Sequence, residues 1–421
     1  MRSSPVWLVL AGFMILLDFY VFQIVRTLSH SAGPKTKSIL YISYWSVSAL
    51  ALIVLFLLPY LNLEQSSKGV RSTVFAVIIG LFLAKLIAAV FFLIDDIRRG
   101  IQWLVGKVFF RGTEGEQLQG TDGISRSIFL SWLGLAMGGG LFASLVYGFS
   151  NKYRYKVKNL RLSFANLPAG FKGLRIVQLS DIHSGSFTNP EAVAKGVNKV
   201  LELKPDIILF TGDLVNDRAI EMEDYTAIFS RLKAPMGVYS VLGNHDYGDY
   251  YYGHEPVGPM ALEKEANLAS LKKLQGDMGW RLLLDENVTL ERNGDKIALI
   301  GIQNWSALKR FPRYGNMAKA YAGAEGLPFK ILMSHDPTHW DAEVRPRFKD
   351  IDLALAGHTH GMQFGVEIPG FRWSPVQYVY RQWAGLYEEG AQKLYVNRGY
   401  GFIGYPGRVG ILPEITLIEL V

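Results

Sequence analysis

Apolar residues are unevenly placed along the chain. In the first 150 residues they form long uncharged runs, and beyond that they come in short blocks between polar and glycine-rich stretches. Four early runs reach the roughly 20 residues needed to cross a bilayer: about residues 6–25, 38–60, 73–94 and 127–146. The first is too long for a signal peptide and is followed by no small-residue cleavage site, so it reads as a span. Asp18 and Lys85 interrupt the first and third spans. Those two spans run in the same direction if all four cross, which puts both charges at similar depth. There they could pair, or each could face a polar gap or snorkel. Gly134 and Gly138 stand in G-x-x-x-G spacing in the fourth span, which permits close helix packing or dimerisation. Residues 101–111 read as a short amphipathic element in the membrane interface, and residues 112–123 as a flexible polar loop.

From about residue 150 the period changes, which divides the chain into a membrane domain, 1–149, and an α/β domain, 150–421. Short β-rich blocks fall at 174–179, 206–210, 238–242, 297–302, 330–333, 352–356, 393–396 and 415–420. Several are continuous apolar runs, as expected of strands buried on both faces. Helices are predicted over 190–203, 262–276 and 318–326. The first has Asn189 as a possible cap and Pro190 at its first position.

Composition sharpens this picture. The 421 residues are 49% hydrophobic and 19% charged and include no cysteine. Disulfides, thiol nucleophiles, zinc fingers and iron–sulfur clusters are therefore excluded. Much of the net charge of +7 lies beside the apolar runs. It reads as membrane-flanking charge, with lipids rather than nucleic acid as the partner. Lys and Arg in the loops set orientation, but each side collects eight, so the count is a tie.

Candidate chemistry gathers at the ends of the predicted strands. They end in Ser180-Asp181-Ile182-His183, in Thr211-Gly212-Asp213, in Gly243-Asn244-His245-Asp246, in Ser334-His335-Asp336 and in Gly357-His358-Thr359-His360-Gly361. Sites in α/β sheets form outside the carboxyl ends of strands. Carboxylate and imidazole groups suit divalent transition metals. A lone histidine is more often structural than a ligand, but five of the eight histidines fall in these motifs. In extended backbone, Asp181 and His183 would point the same way and grip one metal. His358 and His360, in a Gly-flanked turn, could diverge to two.

The ordered series D-I-H, G-D, G-N-H-D, S-H and G-H-T-H resembles the calcineurin-like metallophosphoesterases. The later stretches Gly385-Leu386-Tyr387, Asn397-Arg398-Gly399 and Pro413-Glu414-Ile415-Thr416-Leu417 resemble their membrane-linked branch. That branch includes animal transmembrane proteins with a metallophosphoesterase domain and enzymes similar to UDP-2,3-diacylglucosamine pyrophosphatase. Gly301-Ile302-Gln303-Asn304-Trp305 departs from the pattern, which has acidic residues after the glycine. The resemblance implies a four-layer αββα sandwich holding two divalent metals (Mn, Fe or Zn). Asp181, His183, Asp213 and His360 would hold the first, and Asp213, Asn244, His335 and His358 the second, with Asp213 bridging. His245 would face the substrate phosphate, with Asp246 behind it to orient the ring.

On the substrate side, Tyr247, Tyr250, Tyr251 and Tyr252 could stack a base or cover an acyl chain, or simply pack a loop. Arg398 could bind a second phosphate or form a structural salt bridge. The expected function is a membrane-anchored phosphohydrolase of the cell inner membrane; the side its catalytic domain faces stays open, with the cytoplasmic one preferred. Its substrate would be a lipid-linked or nucleotide-diphosphate compound such as UDP-2,3-diacylglucosamine, which ties it to lipid A biosynthesis. The alternatives are a broad-specificity tethered phosphatase or phosphodiesterase and a non-catalytic membrane sensor. A transporter is disfavoured by short loops and only two intramembrane charges.

Overall fold

The computed structural model describes residues 5–57, 68–109 and 126–421, in two compact units, Met1–Tyr147 and Gly148–Val421. Arg2, residues 58–60 of the second expected span, and Arg111 with the loop at 112–123 lie outside the described residues.

In the first unit four helices are long and apolar enough to cross a membrane: α1 (Pro5–Leu28), α2 (Pro34–Leu57), α3 (Lys68–Phe109) and α4 (Arg126–Gly148). Asp18 and Lys85 do pair. Lys85 Nζ lies 2.5 Å from Asp18 Oδ1 and donates to Ser48 Oγ at 2.7 Å, while Tyr44 Oη donates to the Asp18 carbonyl at 2.8 Å. One polar knot thus ties α1, α2 and α3, and each buried charge has the opposite charge beside it. Gly134 and Gly138 serve packing within the chain: a Cβ on either would press into the α3 backbone at Ala88 and Ala84.

The separate interfacial element expected at 101–111 is not formed as such. Described residues up to Phe109 continue α3 without a break, giving 42 residues, or roughly 63 Å of helix. Gly100 alone costs the helix only about 1 kcal/mol. The pairs Asp95–Arg98, Asp95–Arg99 and Asp96–Arg99 at i,i+3 and i,i+4 carry it through the polar stretch. Asp95 also accepts from Ser127 Oγ of α4 at 2.6 Å.

The second unit is built on two six-stranded sheets. Its strands are β1 (Lys156–Leu162), β2 (Arg175–Leu179), β3 (Ile207–Phe210), β4 (Val238–Ser240), β5 (Trp280–Leu282), β6 (Glu286–Arg292), β7 (Asp295–Gly301), β8 (Lys330–Met333), β9 (Leu353–Ala356), β10 (Val366–Ile368), β11 (Phe371–Trp373), β12 (Gly385–Glu389), β13 (Gln392–Val396) and β14 (Glu414–Leu420). One sheet has the order β1-β14-β2-β3-β4-β5, the other β12-β13-β9-β8-β7-β6, and β10-β11 is a separate hairpin. Within them β2 to β5 are mutually parallel, as are β7, β8, β9 and β13.

Alternation within the apolar runs explains the layering. Ile176, Ile207 and Leu209 point into a core shared with Leu299, Ile331, Met333 and Leu355 of the other sheet. Their neighbours Val177, Ile208 and Phe210 point outward, against Val193, Val197 and Val200 of α5 (Pro190–Glu202). On the far side Ile300, Leu332 and Ala354 pack against Met317, Trp340 and Val344. The result is the expected four-layer αββα sandwich. Asn189 caps α5, its side chain accepting from Ala192 N at 3.0 Å. The other two expected helices form as Pro259–Asp277 and Met317–Tyr321. All parallel strands of interest end at the same rim, which is where the polar motifs emerge.

Lys85→Met should strand the Asp18 carboxylate, whose side chain is 6% exposed. A cost of about 3–5 kcal/mol is expected, with most of it recovered in Asp18→Ala/Lys85→Met. Thermal unfolding of both variants in detergent measures this, and equal stability of the single and double variants would contradict it.

Candidate metal centre

Each candidate ligand leaves a strand end and turns sharply. Asp181 and His183 follow β2, Asp213 follows β3, Asn244 follows β4, His335 follows β8, and His358 and His360 follow β9. Asp181, His183, Asp213, His358 and His360 all have positive φ, between 49° and 70°. This left-handed backbone costs a non-glycine residue about 1–3 kcal/mol. The i, i+2 extended geometry expected for Asp181 and His183 is therefore corrected: the two converge through turns. Glycine is required beside them, because a Cβ at Gly243 would collide with the Asp213 carboxylate and one at Gly357 with Asp181.

The side chains meet in clusters whose donor atoms lie within 4.8 Å of one another: Asp181, His183 and His360; His183, Asp213 and His245; Asp213, His335 and His358. Asp213 joins them. Its Oδ2 lies 3.0 Å from His335 Nε2 and 3.5 Å from His183 Nε2, and its Oδ1 accepts from His245 N at 2.9 Å. Across the two sheets, Asp181 accepts from His358 N at 3.0 Å and lies 3.2 Å from His360 Nε2. His358 Nδ1 and His335 Nε2 are 3.2 Å apart. The His183 ring is buried with neither nitrogen hydrogen-bonded, and Asn244 Oδ1 is likewise buried without a partner. Orphaned buried acceptors of this kind are costly unless something else satisfies them. A donor set of imidazole nitrogens and carboxylate oxygens fits divalent transition metals.

Family models match both parts of the chain. Residues 1–152 match the model described as probable calcineurin-like phosphoesterase, transmembrane domain, and residues 174–362 match calcineurin-like phosphoesterase. The chain belongs to the calcineurin-like phosphoesterases. Among curated relatives, the transmembrane protein with metallophosphoesterase domain of Danio rerio is 31% identical over 283 residues, covering 65% of this chain and 60% of that protein. The chain thus spans less than two thirds of that relative's length. The phosphodiesterase YaeI of Escherichia coli is 28% identical over 248 residues, covering 59% of this chain and 82% of its own. The UDP-2,3-diacylglucosamine pyrophosphatase LpxG of Chlamydia trachomatis is 28% identical over 286 residues, with 56% and 81% covered.

In this phosphoesterase domain one expected role needs correction, and for Arg398 and Tyr247 the substrate-binding reading gives way to the structural one. Asp246 does not orient the His245 ring. It is fully buried and accepts backbone N–H groups from Asp213 at 2.9 Å, Leu214 at 2.8 Å and Gly243 at 2.9 Å. The His245 ring is held instead by Nδ1 on the Asn216 carbonyl at 2.7 Å. Arg398 is buried in a structural ion pair, 2.5 Å from Glu414 and 2.8 Å from Glu367, and has no fork left for a phosphate. Tyr247 is buried and stacked on Tyr314 at 3.8 Å, so it packs a loop. The tyrosine at the site is Tyr250, half-exposed and stacked 4.5 Å from the His245 ring, with its hydroxyl accepting from Asn244 Nδ2 at 2.9 Å.

Residues missed by the sequence reading surround the clusters. Arg408, fully buried, donates to the carbonyls of Arg398 at 2.7 Å and His360 at 3.3 Å and so fixes the ligand turn. Its setting in a glycine-rich loop, Gly407-Arg408-Val409-Gly410, was the available signal. Tyr380 Oη lies 2.8 Å from His358 Nε2, and nothing local in the sequence marks it.

Burial pushes the His183 and His360 imidazoles below their usual range, and takes His358 down to about 4. All three rings are thus neutral at pH 7, the form a metal requires. His335 differs. Burial works against its charged form, yet the Asp213 carboxylate outweighs this and holds it up at about 10. Below that pH the cation-free centre keeps a proton on His335, and a cation must displace it. Loading Mn²⁺ at pH 8 in weak buffer is therefore expected to release about one proton from this site. Affinity should rise with pH and the release should vanish above pH 10. Indicator-dye titration reads this, and pH-independent binding without release would contradict it.

Proposed function

We propose that this protein is a membrane-anchored, binuclear-metal phosphohydrolase that cleaves a phosphodiester or pyrophosphate bond. Asp213 carries the reading. Its one carboxylate lies between two histidine clusters that together leave buried acceptors unsatisfied. Asp181, His183, Asp213 and His360 would hold one cation, and Asp213, Asn244, His335 and His358 the other. Divalent cations held there supply Lewis-acid polarisation of phosphoryl oxygens and a water acidic enough to attack at neutral pH.

The chain's own residues do the rest. Asp213 would supply one negative charge shared by the two cations. His245 is only part-buried and has Nδ1 committed to Asn216 O, so its Nε2 faces the centre. When protonated, that atom stabilises the charge developing on the phosphoryl group and gives its proton to the departing oxygen. In the balanced step the water oxygen forms a bond to phosphorus and releases one proton to bulk solvent. The bond from phosphorus to the leaving oxygen breaks, and that oxygen takes the His245 proton. Tyr250 stacks on the ring and keeps it turned toward the substrate.

The substrate we favour is lipid-linked or a nucleotide diphosphate of the UDP-2,3-diacylglucosamine type. The membrane unit and the likeness to a pyrophosphatase of that substrate support this. It brings the chain to the cell inner membrane with the catalytic domain on the cytoplasmic side, where nucleotide-linked sugars are expected. Lipid extracts from a strain lacking the protein should then accumulate a UDP-linked acyl sugar by mass spectrometry. An unchanged lipid profile beside intact diester hydrolysis would favour the broad-specificity alternative.

Two variants of the full-length, Mn²⁺-loaded protein test the roles, read with bis(p-nitrophenyl) phosphate and metal analysis. Asp213→Asn should abolish turnover with the fold kept, because the residue stands at a strand end. His245→Ala should keep both metals and lose roughly 10²–10⁴-fold in rate. Metal loss in His245→Ala would make that residue a ligand, and normal turnover in Asp213→Asn would sink the shared-ligand assignment.

A further inference from the structure

The loop after β7 brings one arginine to the mouth of the centre. Its base is anchored: Ala307 N donates to Thr338 Oγ1 at 2.9 Å, and Leu308 and Phe311 pack on the cluster of Val376, Tyr380 and Trp383. Phe311 also lies edge-on to the His358 ring, 4.8 Å away. From this platform the exposed Arg310 donates from Nη2 to Tyr380 Oη at 3.3 Å. Its guanidinium rests 4.7 Å from the Phe311 ring centre and 6.0 Å from that of Tyr380. Among the described residues no carboxylate pairs with it. Tyr380 Oη in turn reaches the candidate ligand His358 at 2.8 Å. Arg310 also acts electrostatically on Tyr250, the ring stacked over His245.

Other arginines near the centre are committed. Arg398 is locked to Glu414 and Glu367, Arg408 to backbone carbonyls, and Arg313 to the Ser306 carbonyl and the Trp305 face. Arg310 alone among these four combines exposure, an anchored base and a fork without an anionic partner. A guanidinium in that state is made for a bidentate oxyanion. Its place, one tyrosine away from His358, is beside the reacting phosphoryl group and not on it.

We propose that Arg310 binds a second phosphate next to the one attacked, and that the substrate class is therefore a pyrophosphate, with Arg310 setting that preference. This rests on the phosphohydrolase reading and narrows it. A simple phosphodiester places nothing in the fork, whereas a linked diphosphate fills both positions.

The test is isothermal titration of full-length, Mn²⁺-loaded protein in detergent with two non-reacting probes, imidodiphosphate and inorganic phosphate. Arg310→Ala should weaken imidodiphosphate about 10–100-fold, the range for lost charge-assisted hydrogen bonds, and phosphate by less than about threefold. Arg310→Lys, which keeps the charge but loses the fork, should fall between. Arg381→Ala removes the same charge from a side chain that is 73% exposed and paired with Asp341 and Glu389. It should change neither probe. Equal weakening of both probes by Arg310→Ala, or an equal effect of Arg381→Ala, would reduce Arg310 to a general field and overturn the proposal. So would unchanged imidodiphosphate affinity. If the unaltered protein binds neither anion, the phosphohydrolase reading falls and takes this inference with it. Binding without the selective loss removes this inference alone.

Discussion

A buried carboxylate must be neutralised, and the second unit is organised around how Asp213 achieves this. It stands on a left-handed turn at the end of β3. Its oxygens face His335 from the second sheet, His183 from the neighbouring strand and the backbone N–H of His245. None of these can approach unless Gly243 lacks a side chain and the two sheets end at the same rim. Asp246 completes the arrangement from behind by accepting from the Asp213 turn at Asp213 N and Leu214 N and from its own turn at Gly243 N. A second buried carboxylate serves here as scaffold, where its position in the G-N-H-D motif suggested chemistry.

What was legible in the sequence was local. The eight strands found there are buried on both faces or nearly so, and a continuous apolar run says this directly. The strands that escaped notice were β1, β5, β6, β10, β11 and β12, which are short, lie at sheet edges or form hairpins. In β1 and β6 half-exposed and exposed residues outnumber buried ones, so no apolar run stands out. The candidate ligands were readable because each motif is three to five residues long. Arg398 and Tyr247 stayed undecided in the sequence for the opposite reason. Their roles are set by Glu367, Glu414 and Tyr314, which are remote in sequence, and no spacing rule connects them. Arg310 and Tyr380 belong to the same class, since only the fold brings them to His358.

The membrane unit shows the same division. The charges of Asp18 and Lys85 could be matched from their depth alone, but the participation of Ser48 and Tyr44 could not. The end of α3 was misplaced because amphipathic residues after Gly100 resemble an interfacial segment. Paired charges at Asp95, Asp96, Arg98 and Arg99 let the helix run on through residues that look like a boundary.

The left-handed backbone at five of the candidate ligands has an evolutionary side. Each of these residues is held where a side chain is unwelcome, and at roughly 1–3 kcal/mol apiece the strain is a sizeable part of a domain's net stability. A lineage that no longer needed the centre would gain stability by drifting to glycine or asparagine at Asp181, His183, Asp213, His358 and His360. Selection for folding alone therefore erodes these positions and does not preserve them. Their presence together in one chain is what selection for the centre, and not for folding alone, would leave.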